Sequence, residues 1–110
     1  MKNVALFSEL VKGTKPSSRA IFFLYLTGES ITRLKKITVK DARAYLDDRD
    51  YPFNSDISLF DNKAENDLAF SFSNNRELTP SRIRQIIESI IAKTEGGRRY
   101  SIEDLKKLIL

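Results

Sequence analysis

Apolar residues recur at helical spacing along most of this chain, and glycine, proline and capping residues mark the breaks between the periodic stretches. Over residues 3–12, Val4, Phe7, Leu10 and Val11 share one stripe, which predicts a short amphipathic helix ended by Gly13. Residues 14–18 read as a loop, with Ser17 or Ser18 capping a helix that runs to Thr27. The apolar run at 20–26 goes right round that helix, so it is expected to be the buried central one, stopped by Gly28. Ile31, Leu34 and Ile37 predict a short helix over 30–37, and Thr38 with Asp41 opens another that reaches Asp47.

The middle of the chain has a different rhythm. Residues 47–52 read as a turn, and 57–60 as a short strand. Leu68, Phe70 and Phe72 alternate as a second strand, with polar residues 61–67 between the two and Asn74-Asn75 turning the chain afterwards. The clearest helix follows: Thr79 caps it, Pro80 takes its first position, and Ile83, Ile86, Ile87, Ile90 and Ile91 line one face up to Gly96-Gly97. Ser101, with Asp104 three residues on, caps a last helix carrying Ile102, Leu105, Leu108 and Ile109. The expected fold class is α+β and mainly α-helical. It is a single domain, 1–110, of five or six short helices with a small two- or three-stranded antiparallel sheet.

Composition narrows the chemistry. The chain has no cysteine, so no disulfide framework or thiolate chemistry is expected, and no histidine, which removes the commonest general base and metal ligand together. Neither a cofactor nor a metal is expected. Asp47, Asp48 and Asp50 superficially suggest a calcium loop, but the glycine and closing glutamate of such a loop are missing, and a solvated acidic turn is expected. The longest apolar run is far short of the roughly 20 residues of a membrane span, and no signal-peptide pattern is present, so a cytoplasmic protein without a membrane partner is expected.

The net charge of +4 is unevenly spread. Residues 1–40 carry +6, residues 41–67 carry −5 and residues 68–110 carry +3. That distribution suits one face for polyanions and another turned away from them, or equally a set of solvated faces.

Two separated stretches, 19–34 (RAIFFLYLTGESITRL) and 78–110 (LTPSRIRQIIESIIAKTEGGRRYSIEDLKKLIL), resemble the catalytic domain of the tyrosine recombinases. In that family a hydrophobic helix leads into Thr-Gly, a catalytic arginine and Ile-Ser-Glu-Leu. Here Thr27-Gly28 matches the turn, Ile31 and Leu34 match packing residues, Ser30 falls at the arginine and Arg33 at the glutamate. The family's later Ser-Pro-His-Asp-Leu-Arg-His motif aligns with residues 101–107. Ser101, Asp104 and Leu105 are kept, Glu103 stands for the first histidine, Lys106 for the arginine and Lys107 for the second histidine. The family's nucleophilic tyrosine would lie beyond Leu110. The resemblance thus implies a reduced recombinase core with degenerate catalytic positions Ser30, Glu103, Lys106 and Lys107, no catalytic residues and no enzymatic activity.

It also implies that the helix from Pro80 lies in a DNA major groove. Arg82, Arg84, Gln85 and Ser89 are its candidate groove contacts, since arginine and glutamine read base edges. Candidate phosphate contacts are Arg33, Lys35, Lys36, Lys40, Arg98, Arg99, Lys106 and Lys107. The expected function is a non-catalytic DNA-binding or regulatory protein with duplex DNA as partner. Two alternatives use other residues. One is a winged helix-turn-helix regulator reading through Lys40, Arg43 and Tyr45 on the 38–47 helix. The other is an accessory protein of a phage or mobile element that binds a host protein through the acidic segment 41–67 and no DNA.

Overall fold

The structure is a computed structural model that describes residues 1–71, 76–93 and 100–110. Most of its helices begin where a short polar side chain reaches an amide left unpaired in the first turn. Asn3 does this for α1 (Val4–Leu10), Ser30 for α3 (Ile31–Lys36) and Thr38 for α4 (Val39–Asp48). Thr79 caps α5 (Pro80–Ile91), and Ser101 with Asp104 makes a reciprocal capping box at α6 (Ile102–Ile109). The exception among the α-helices is α2 (Pro16–Leu26), which starts at Pro16 after Lys15, whose side chain makes no cap, with Ser17 and Ser18 inside its first turn. Proline's fixed φ suits the first helical position, so Pro16 sets the start and neither serine caps it. Gly13 (φ 79°) and Gly28 (φ 115°) turn the chain after α1 and α2 in a backbone conformation that side chains with a Cβ resist.

The central helix is α2, as expected. Ala20 to Leu24 and Leu26 are all buried, and α3, α4, α5, α6 and a 3-10 helix (Asn54–Phe60) pack around it. Phe7, Phe22, Phe23, Tyr51 and Phe53 form a ring cluster at one end, with Phe23 and Tyr51 edge to face at 4.9 Å. Separately, Phe60 meets Phe70 at 5.8 Å. Two expected core residues lie outside: Val4 is 44% and Leu108 42% exposed, on terminal helices α1 and α6 that pack against each other. The chain ends are tied together by the Lys2 amide, which donates to the Ile109 carbonyl at 2.6 Å.

The expected sheet does not form, so the α+β assignment is corrected to an all-helical one: among the described residues there is no β-strand. Residues 57–60 belong to the 3-10 helix, in which Asp56 and Phe60 turn inward while Ile57 and Leu59 are half-buried. From Leu68 only isolated bridges remain, Thr38 to Leu68 and Ser71 to Glu77. Ala69 and Phe70 are both buried, which breaks the alternation a strand needs. The backbone is satisfied without a ladder. Lys63 Nζ donates to the carbonyls of Leu68 and Ala69 at 3.1 Å each, and the Ala69 amide donates to Ile37. Phe72, Asn74, Asn75, Gly96 and Gly97 lie outside the described residues.

Asp56, 2% exposed, is the buried charged residue among those described. Arg19 grips it with two hydrogen bonds (2.9 Å and 2.5 Å), and the Tyr51 hydroxyl donates to it at 2.5 Å. The hydrogen bond to Asp56 pushes the Arg19 guanidinium further up from its ordinary value, while burial, reinforced by Asp56, pushes the Tyr51 phenol up. No helix among the described residues is long and apolar enough to cross a membrane, and no group of potential metal ligands comes together among them.

Candidate nucleic-acid interface

The 3.6-residue period of α5 separates its two faces. Ile83, Ile87 and Ile90 are buried on the side that packs against α2 and α3, which leaves Arg82, Arg84, Gln85 and Ser89 exposed on the other. Among the described residues, Arg82, Arg84 and Gln85 have no side-chain hydrogen bond or ion pair. Ser89 donates only to the Ile86 carbonyl, at 3.4 Å.

Beside this face lies the segment that enters α2. A cleft of about 340 Å³ is lined by Gly13, Thr14 and Lys15 on one side and by Arg82, Gln85 and Ser89 on the other. It shares Lys15, Ser18, Arg82 and Ile86 with a neighbouring cleft of about 280 Å³, and Gln85 and Ser89 with a third that runs to Ala92. Three of the four groove candidates, Arg82, Gln85 and Ser89, therefore border a continuous depression joined by Lys15. Arg84 is exposed on the same helix.

The phosphate candidates divide by whether an acid already holds them. Arg33 meets Asp41 at 3.2 Å, the Tyr45 hydroxyl at 3.2 Å and Glu29 at 4.0 Å. The Tyr45 hydrogen bond leads in pushing its guanidinium further up. Lys35 pairs with Glu77 at 2.9 Å, and Lys106 with Glu103 at 3.6 Å. Lys36, Lys40 and Lys107 are exposed and have no ion pair among the described residues. Arg98 and Arg99 lie outside the described residues.

Of the positions matched to recombinase catalytic groups, Ser30 caps α3, Glu103 and Lys106 pair one turn apart on α6, and Lys107 is exposed.

The residues of the alternative readings are also placed. Arg43 on α4 is bonded to Asp61 at 2.7 Å, and Tyr45 accepts from Arg33 while the Arg49 guanidinium lies 4.6 Å over its ring. In the acidic segment 41–67, Asp41, Asp56 and Asp61 are engaged by Arg33, Arg19 and Arg43. Asp47, Asp48 and Asp50 remain exposed at the end of α4, with Asp50 at φ 56°.

Sequence reasoning missed Lys15 and Lys63 as parts of this surface. Proline at the first helical position was the signal for Lys15, since it moves the cap back from Ser17 or Ser18 to Lys15. Lys63 sits in a polar stretch with no periodicity and carried no signal. No protein-family profile, curated protein or solved structure matches the chain.

Proposed function

We propose that this chain is a non-catalytic DNA-binding protein that lays the exposed face of α5 against duplex DNA. The observation that carries the reading is the cluster of Arg82, Arg84 and Gln85, exposed on one helix with no side-chain partner among the described residues. At 12 residues, or about 18 Å, α5 has the dimensions of a helix that enters a major groove. Arginine and glutamine there have the donors and acceptors to read guanine and adenine edges. Lys15, across the cleft, supplies a phosphate contact from the same side, and Lys36, Lys40 and Lys107 are further cations whose charge is not shared with an acid. The α4 reading is weaker because Arg43 and Tyr45 are already engaged within the protein. Nothing in this role requires a chemical step.

Fluorescence anisotropy on labelled random-sequence duplex DNA, at about 50 and 200 mM salt, tests it. The expected result is micromolar or tighter binding at low salt that weakens steeply at high salt. Changing Arg82 and Arg84 together to alanine is expected to leave the melting curve intact and weaken binding by about tenfold or more. Unchanged affinity in a folded double variant overturns the assignment to α5. Absence of binding at low salt overturns the DNA reading as a whole and turns attention to the acidic end of α4.

A further inference from the structure

The cleft of about 280 Å³ between α2, α5 and the segment around Phe70 has a composition of its own. Ile21, Leu59, Phe70, Leu78 and Ile86 contribute apolar surface. Around them stand three cations, Lys15, Lys63 and Arg82, and three hydroxyls, Ser17, Ser18 and Ser71. No carboxylate is among the described residues that line it. Lys63 is held in place by the carbonyls of Leu68 and Ala69 and by the Ser71 hydroxyl, neutral acceptors that orient the ammonium without cancelling its charge. Lys15 and Arg82 have no acidic partner among the described residues. The cleft therefore combines apolar surface with uncompensated positive charge. Its volume lies near the lower end of small-ligand sites, and an apolar lining with a few placed polar groups is their usual make-up.

We propose that this cleft binds a small phosphomonoester whose phosphate is carried on a compact apolar body, such as an aromatic ring. A phosphate dianion presents several acceptor oxygens, which match the ammonium, guanidinium and hydroxyl donors at the rim better than a single charge would. The apolar body covers the side chains beneath, so neither half of the ligand alone uses the whole site. The site stands independently of the DNA reading, although Lys15 and Arg82 border both.

The test is a titration of the full chain with phenyl phosphate, followed by amide chemical shifts, with inorganic phosphate and phenol as the two halves. Saturable shifts centred on Ser17, Ser18, Ser71 and Ile86 are expected, with phenyl phosphate binding about tenfold or more tighter than inorganic phosphate. Lys15→Gln is expected to weaken binding by about tenfold, whereas Arg84→Gln, outside the cleft lining, leaves it within about twofold. Because Lys15 is exposed, its variant keeps the fold, checked by its melting curve. Absence of saturation up to millimolar ligand, or shifts centred elsewhere, overturns the proposal. So does inorganic phosphate binding as tightly as phenyl phosphate, which would leave only a general attraction for anions. DNA affinity does not enter this readout, so the two proposals fail separately.

Discussion

Asp56 sits in the interior because Arg19 and Tyr51 both donate to it, and removing the carboxylate strands the two of them at once. Asp56→Ala is expected to cost about 3 kcal/mol, read as a lower urea midpoint with an unchanged slope. The partial exposure of Arg19 keeps the loss toward the lower end of what a broken buried pair costs. Tyr51 adds a pH dependence. Its phenol is pushed up from the ordinary 10.0 by burial and by Asp56, so in alkali the unfolded chain loses this proton before the native one does. The stabilisation is complete below about pH 10 and declines as pH rises beyond it. Tyr51→Phe is expected to cost about 1 kcal/mol at neutral pH and to flatten the alkaline loss of stability, followed by urea unfolding at increasing pH. None of this was legible at the residue level. Asp56 reads as one more acid of the 41–67 segment, and its arginine lies 37 positions away.

Helix starts were the most legible elements because a cap is a contact over three residues. Thr38, Thr79 and Ser101 each accept the amide three positions on, as the spacing predicts, and Ser30, read as the first residue of its helix, is in fact its cap. Ser101→Ala breaks the Ser101 half of the α6 capping box. It is expected to cost about 1 kcal/mol, seen as a lower melting temperature. The strands failed for the opposite reason. A strand needs a partner from elsewhere in the chain, and short apolar runs at 57–60 and 68–72 fit a buried turn equally well. At 57–60 the inward pull of Asp56 toward Arg19 and Tyr51 accompanies the 3-10 turn, and near Leu68 the ammonium of Lys63 takes the carbonyls a ladder would have used.

For the whole molecule, the radius of gyration of 13.4 Å is close to the roughly 13 Å of a packed single body of this length, so segments far apart in sequence share one body. Their blocks in sequence overstate how separate they are in space. Arg33, Lys35, Arg19 and Arg43 are spent on acids, and the cations left without one include Lys15, Arg82 and Arg84. If Lys15 and Lys36 meet phosphates, each contact adds about 0.9 to the slope of log affinity against log salt. Removing Lys15 and Lys36 together is then expected to flatten that slope by nearly 2, measured over a series of salt concentrations. A slope unchanged in the double variant would place the DNA contacts elsewhere.

The sequence alone determined where most helices begin, which of them is central and which face of α5 is apolar, because caps and 3.6-residue periodicity act within a few neighbouring residues. It also placed Arg82, Arg84, Gln85 and Ser89 on the outer face of that helix. Only the tertiary structure decided that no sheet forms among the described residues, which cations are held by acids, and that Lys15, Lys63 and Arg82 border one cleft. Those outcomes rest on contacts between distant parts of the chain, and the local pattern of polar and apolar residues does not encode which distant partner a side chain will meet.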